Sequence, residues 1–353
     1  MDSAINSESR ESWAVFDELV TDASAWRGPA LQRSEEWIVR LTETDLHELD
    51  VALHNVNRRG ISMHGLTKDT FPLPGLSAKL KSILQEVEYG RGFVLIRGIQ
   101  AERYSKEDAG RLFWGLGAHF GKGVTQNAKG DLLGHVADLG FADYRGRSDV
   151  RGYQTRASLE FHTDVVDVVG LMCLRKAKQG GESLIASSTT IHNEMLEHHP
   201  MLLGLLYGNF LFDRKGEEAE GQPPYFVSPI YSYYGGFLSC RPAIIEYIFS
   251  AVQKTGIPLN PAQRKALDVF VGYTLRPDVQ LSMELEPGDI QLLNNSVILH
   301  SRTSFIDHED PERRRHLLRL WLNIENGRPV DPGAFPYRNG VPVVQSVAAA
   351  HRV

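Results

Sequence analysis

The chain has 353 residues, 42% of them hydrophobic and 23% charged, an ordinary globular composition that excludes a disordered or collagen-like chain. No apolar run reaches the roughly 20 residues a membrane span requires, and the polar start, MDSAINSESRESW, lacks the apolar core of a secretory signal. The net charge of −6 argues against a nucleic-acid partner, and two distant cysteines, Cys173 and Cys240, build neither a disulfide framework nor a CxxC zinc site, so a reducing cytoplasm is expected.

In chain order, residues 1–89 read as a helical N-terminal arm. Trp13, Phe16, Leu19 and Val20 fit one face of a helix within 1–40. Residues 42–59 form a second helix, with Thr42 as N-cap, Asp45 three residues on, and Leu46, Leu49 and Leu53 at helical spacing. A third helix covers 76–88. At 90–99 the pattern changes to GRGFVLIRGI, a short apolar run between glycines that predicts a buried strand. KEDAGRLFWGL (106–116) returns to helical spacing. From residue 132 short strands follow one another: LLGHVAD, SLEFHTD, VVGLMCLR, SLIASS, FVSPIYSYYGGFLSCR, LSMELEPGDIQLLNN, VILHSR and RHLLRLWLNI. Two helical inserts interrupt them, 190–207, opening at Thr189 or Thr190, and 261–271, with proline in its first turn. Such a mainly β, α+β pattern predicts a sandwich or barrel with helices outside. No linker divides the chain. One domain over 1–353 is expected, with the arm at 1–89, a β core with helical inserts at 90–324 and an irregular C-terminal extension at 325–353.

The strongest local signal is His162-Thr163-Asp164. Alternate residues of a strand share a face, so a strand at SLEFHTD aims His162 and Asp164 into one cavity. An imidazole and a carboxylate suit a divalent transition metal, and one more histidine completes a facial triad with open positions. EPGDIQLLNNSVILHSR supplies it: a Pro-Gly-Asp turn, a strand, an Asn-Asn turn and a second strand reaching His300, a hairpin-like delivery. In ERRRHLLRLWLNI, read as a strand, Arg315, Leu317, Arg319 and Trp321 share one face, and His316, Leu318, Leu320 and Leu322 the other. Two arginines on an apolar face need a reason, which is salt bridges to core carboxylates, an exposed basic edge, or capture of anionic ligands. Guanidinium forks capture carboxylates in a bidentate manner, and side chains four apart lie roughly 13 Å from each other along a strand.

Together, HTD, GGES, GDIQLLNNSVILHSR and RRRHLLRLWL resemble the taurine dioxygenase-like (TauD/TfdA) branch of the iron(II)- and 2-oxoglutarate-dependent oxygenases, over about residues 90–324. The resemblance implies a double-stranded β-helix (jelly roll) with surrounding helices, and iron(II), 2-oxoglutarate and O2 as cofactor and cosubstrates. It implies His162, Asp164 and His300 as iron ligands and catalytic residues. It places Arg315 on the distal carboxylate of 2-oxoglutarate, with Ser183 standing where the family usually has threonine. It also implies oxidation of an unactivated C–H bond, by hydroxylation, desaturation or ring closure, with release of succinate and CO2. A carboxylate at 164 argues against halogenation, for which relatives have a small residue there.

Substrate signals are thinner. Arg319 is placed where relatives often hold an acidic group of the substrate, although Glu160, Asp167 or another carboxylate could pair with it instead. Gln126, Asn127, Gln154 and Phe161 are further candidates for substrate contact, each also readable as structural. Gln126 and Asn127 lead because they follow GLGAHFGKG. The polar loop 213–225 reads as a lid or as plain solvated chain. A small carboxylate- or amino-acid-like substrate is expected, with no membrane or nucleic-acid partner and with homo-oligomers compatible. A zinc hydrolase would leave Arg315 without a role, and the chain has no HExxH motif. A non-catalytic jelly-roll binding protein is the remaining alternative, although every expected ligand is present.

Overall fold

The computed structural model describes residues 15–145, 150–218, 220–334 and 337–343. Two sheets face each other. The larger runs in the order Ile38–Arg40, Phe93–Arg97, Ile290–Asn294, Val168–Arg175, His316–Asn323 and Lys122–Gly123, with Leu133–Val136 also paired to His316–Asn323. Only the pairing of Ile38–Arg40 with Phe93–Arg97 is parallel. The smaller sheet runs Gln280–Met283, Ser183–Ser187, Ile298–Arg302 and Leu159–His162, all antiparallel. This is the jelly roll, an α+β arrangement with helices outside.

Period-2 alternation sorts each strand between two cores. Phe93, Leu95, Val169, Leu293, Leu317 and Trp321 of the large sheet meet Ile185, Leu281, Met283 and Ile298 of the small one, closing the space between sheets. Their neighbours Val94, Ile96, Val168, Leu292, Leu318 and Leu320 face outward, under the helices Glu43–Arg58, Ser77–Tyr89 and Lys106–Gly117. The first of these helices has the expected capping box: Asp45 donates its N–H to Thr42 Oγ1, and Asp45 Oδ2 accepts from the Thr42 N–H. On the far side of the small sheet, Phe161, Ala186 and Leu299 pack under Ser188–His198, Pro200–Leu206, Ile245–Thr255 and Pro261–Thr274. No helix of the described residues is long and apolar enough to cross a membrane.

Several expectations change. Phe16, Leu19 and Val20 are not helical, and Trp13 lies outside the described residues. Phe16 stacks on Tyr233 at 4.2 Å, and Asn193 bonds both the N–H and the carbonyl of Val20, so tertiary partners replace a helical ladder. Among the described residues of this stretch, the only helix is Gly28–Gln32. The 190–207 helix begins at Ser188 with Ser187 as N-cap and breaks at His199, because Pro200 cannot donate to a continuing ladder. The Ile245–Thr255 helix was not anticipated. It buries Ile245, Ile248 and Ala251 and ends on Gly256 at φ 70°, a left-handed turn that favours glycine. Finally, 290–302 is no hairpin. Ile290–Asn294 belongs to the large sheet and Ile298–Arg302 to the small one, so the Asn-Asn turn carries the chain from one sheet to the other.

Candidate active site

Between the sheets lies a cavity of about 140 Å³. His162 ends its strand and sits directly across from His300 in the register of the small sheet, with the rings 4.3 Å apart. Asp164 is brought in differently from the expected strand alternation, because the strand stops at His162. Thr163 turns away and accepts the Ala243 N–H, and the Asp164 N–H donates to Asn295 Oδ1 at 2.9 Å. Asn295 also donates to the Val166 carbonyl. The two chain crossings between sheets, 163–167 and 295–297, thus lock together through one buried amide. The potential ligand atoms of His162, Asp164 and His300 all lie within 4.8 Å of one another.

Tautomer and charge suit a cation. His162 Nδ1 lies 2.8 Å from the Glu160 carbonyl, which only accepts, so Nδ1 carries the hydrogen and Nε2 is left free. Burial, then the neighbouring His162, push the His300 imidazole down to about 3, so it is neutral at ordinary pH. Burial, the largest single influence, would raise the Asp164 carboxyl, but Arg319, His300, His162 and the Trp321 indole, which donates to Oδ2 at 2.9 Å, together hold it below the usual range. Two imidazoles and one carboxylate are the donor set of a divalent transition metal, so the residues present fit such an ion.

One end of the cavity carries Arg315, Arg302, Ser183 and Ser301 among Leu171, Leu285 and Leu317. Arg315 is 6% exposed, and its Nη1 has no hydrogen-bond partner. Burial lowers its guanidinium to about 10. Gly181, at φ 82°, has no side chain to spare here: a Cβ would come within 3.0 Å of Arg315 Nε, which explains the second glycine of GGES. Ser183 Oγ bonds the Gln291 amide at 3.1 Å.

The other end holds Arg319, which lies over the rings of Tyr153 and Trp321 at 4.8 and 4.9 Å. Its Nε donates to Gln126 Oε1 at 2.8 Å and its Nη1 stands 3.8 Å from Asp164 Oδ1. Neither anticipated carboxylate pairs with it. Glu160 lies 3.7 Å from Arg145, and Asp167 holds Arg241 and Arg338, each at 3.1 Å. Phe161 is buried and lines the cavity. Gln126, Asn127 and Gln154 do not. Gln126 is 5% exposed, and its Nε2 donates to the carbonyls of Leu132 and Arg319, so it fixes the arginine from behind. Asn127 accepts from Lys129 and Asp131 in a turn, and Gln154 accepts the Arg151 N–H. Polar side chains next to turns are taken up by local backbone donors.

The wall includes residues that sequence reasoning did not single out. Tyr144, Val150, Arg151, Lys215, Glu246 and Tyr247 also line the cavity. Lys215, in the loop read as a lid, is buried, left-handed at φ 54°, and bonds Glu246 at 2.8 Å. That end of the loop is built into the wall, and residue 219 lies outside the described residues. No local pattern reveals these pairings, which join segments far apart in the chain. Arg302 had a signal: it stands two residues after His300 and shares its face.

Residues 60–321 match the taurine catabolism dioxygenase TauD, TfdA family. The chain belongs to this family. It is a dioxygenase, and iron(II), 2-oxoglutarate and O2 are its cofactor and cosubstrates, as the resemblance implied. Among its relatives, FR-33289 synthase of Streptomyces rubellomurinus is 35% identical over 93% of this chain and 97% of its own length. The taurine hydroxylase-like protein SAT17 of Stachybotrys chartarum is 32% identical over 85% of this chain and 79% of its own. The fold is similar to that of asparagine oxygenase in complex with Fe(II), 3-hydroxyasparagine and succinate, with TM-score 0.63 and 14% identity over 81% of this chain and 93% of that one. It is also similar to the oxygenase OrfP with Fe and α-ketoglutaric acid, with TM-score 0.59 and 14% identity over 81% and 93%.

Proposed function

We propose that this TauD-family dioxygenase oxidises an unactivated C–H bond of a small substrate that carries a carboxylate or a similar acid, as an amino acid does. The reaction is a hydroxylation, or a desaturation or ring closure, with release of succinate and CO2. The observation that carries the reading is Arg319. Its guanidinium is on the cavity wall, and among the described residues the carboxylate within ion-pair distance of it, at 3.8 Å, belongs to the candidate ligand Asp164. An incoming acid completes that charge. Two fold neighbours are captured with amino acids, 3-hydroxyasparagine in asparagine oxygenase and (3S)-hydroxy-L-Arg in OrfP, which agrees with this substrate class. Both cysteines are free and buried, in keeping with a cytoplasmic setting.

In this reading His162, Asp164 and His300 hold iron(II). Arg315 and Ser183 hold the distal carboxylate of 2-oxoglutarate, and Arg319 orients the substrate beside the ligand set. Bound iron with 2-oxoglutarate and O2 supplies the oxidising power. The chain supplies position and dryness: Phe161, Leu171, Leu285, Leu317, Ile244 and Ile245 keep the wall apolar, which strengthens each charge pairing inside it.

Two measurements test this. Anaerobic addition of iron(II) and then 2-oxoglutarate gives a weak charge-transfer absorption band, and a panel of small acids and amino acids is screened for substrate-dependent succinate release. With a substrate in hand, Arg319→Ala loses the coupled oxidation yet continues slow decarboxylation of 2-oxoglutarate as a folded protein. Normal turnover by that variant removes the acidic-substrate reading.

A further inference from the structure

The cavity end assigned above to the distal carboxylate of 2-oxoglutarate contains a second guanidinium. Arg302 is 5% exposed and Arg315 is 6% exposed, and both line the cavity. Each leaves its Nη1 without a hydrogen-bond partner. Among the described residues, neither forms an ion pair with a carboxylate. Asp307 is the acid whose charge reaches Arg315, and it accepts the Arg315 backbone N–H at 2.7 Å rather than pairing with the guanidinium. The two cations share one aromatic ring: the guanidinium carbons of Arg302 and Arg315 lie 4.7 and 5.2 Å from the Phe305 centroid.

The strand register explains how Arg302 reaches this place. Residues 300 and 302 point to the same side of the Ile298–Arg302 strand, so the arginine follows His300 toward the cavity. On the adjacent strand its direct partner is Ser183, as the partner of His300 is Ile185. Directly opposed side chains of an antiparallel pair have Cβ atoms roughly 4.5–5.5 Å apart. Arg302 therefore stands beside the serine already placed at the distal carboxylate. Its other donors are engaged by backbone: Nε with the Thr303 carbonyl at 3.2 Å and Nη2 with the Ala157 carbonyl. These bonds fix the fork without neutralising its charge.

Two like charges in a water-poor wall, with no carboxylate in ion-pair contact among the described residues, are unfavourable, and removal from water adds to the cost. A ligand that brings a full negative charge to this end relieves both. We infer that Arg302 is a second positioning residue for the distal carboxylate of 2-oxoglutarate, acting beside Arg315. The inference rests on the cosubstrate assignment of the preceding section and adds a residue to it.

The test compares two probes on three proteins. The anaerobic charge-transfer titration is run on the iron(II)-loaded wild type, Arg302→Gln and Arg302→Lys, with 2-oxoglutarate and with 2-oxopentanoate, which lacks the distal carboxylate. Iron affinity is measured separately by chelator competition. Arg302→Gln should weaken 2-oxoglutarate about tenfold or more, the value of one charge-assisted hydrogen bond. It should leave 2-oxopentanoate and iron affinity unchanged, and Arg302→Lys should recover part of the loss. If Arg302→Gln does not fold, Arg302→Lys carries the comparison: it keeps the charge without the fork, so it should still weaken 2-oxoglutarate more than 2-oxopentanoate. Equal losses for both probes, or no loss, overturn the inference and leave Arg302 as a staple on Ala157. Failure of the wild type to give the band with iron and 2-oxoglutarate is a different result, which removes the cosubstrate assignment itself.

Discussion

Arg315 and Arg319 stand on one face of one strand, four residues apart, yet their surroundings differ. Arg315 is enclosed by Gly181, Phe305 and Leu-rich wall with a free Nη1. Arg319 is wedged between two aromatic rings and tied to an amide. Lysine at 315 keeps a charge but loses the planar fork, so Arg315→Lys should raise the apparent KM for 2-oxoglutarate about tenfold with little change in iron affinity. Unchanged cosubstrate dependence in steady-state kinetics would move that role to another arginine. Gln126 separates contact from support. It touches Arg319 and two carbonyls but does not line the cavity. Gln126→Ala should therefore raise the KM for the primary substrate several-fold and leave that for 2-oxoglutarate in place. It should also cost about 1–3 kcal/mol of stability, because buried backbone acceptors lose their donor. Urea denaturation beside the kinetics reads both effects.

At the scale of elements, the site depends on where two strands end. His162 closes one strand, and Ile290–Asn294 closes in the large sheet before the chain crosses to His300. Both crossings are held by Asn295, fully buried, with its backbone N–H on the Asp167 carbonyl and its side chain on Asp164 and Val166. Asn295→Ala should free the Asp164 backbone, lowering iron affinity by roughly tenfold and stability by about 1–3 kcal/mol, as expected for unsatisfied buried groups. Chelator competition that shows wild-type iron affinity in a destabilised variant would limit Asn295 to a structural role. The Thr42 capping box, by contrast, sits on the outer helix layer, and substitutions there touch stability alone.

For the whole molecule, buried neutral histidines outside the proposed metal ligands set the acid limit of stability. Burial brings His192, whose Nε2 bonds the Tyr207 hydroxyl at 2.8 Å, down to about 4. Burial, then Lys106 and His135, bring His316 to about 4 as well. The unfolded chain takes up these protons near its ordinary value of 6.5, whereas the fold resists them. Between about pH 6.5 and 4 the unfolded state therefore binds more protons, and stability falls as pH drops through that window. Each histidine contributes at most about 1.4 kcal/mol per pH unit there. Urea midpoints at pH 7, 5.5 and 4.5 should decline, and His316→Gln should reduce the slope. An equal slope in that variant would show that His316 takes its proton in the fold.

What was legible in the sequence is what short-range physics decides. Thr42 and Asp45 announce a helix start because capping spans three residues. Leu317 and Leu318 announce opposite cores because side chains alternate along a strand. His162, Asp164, His300 and Arg315 stood out because few residue types hold a metal or a carboxylate, and their order along the chain matched one family. The same alternation reaches Arg302, two residues beyond His300. The rest was settled by contacts between distant segments. That Asp164 is aimed by Asn295 rather than by its own strand, that Gln126 backs Arg319 rather than facing the cavity, and that Lys215 and Glu246 meet in its wall all depend on pairings 31 to 193 residues apart. Such pairings leave no local periodicity, because either partner alone looks like an ordinary polar residue in a turn, a loop or a helix. Only the packing of the two sheets and their crossings brings them together.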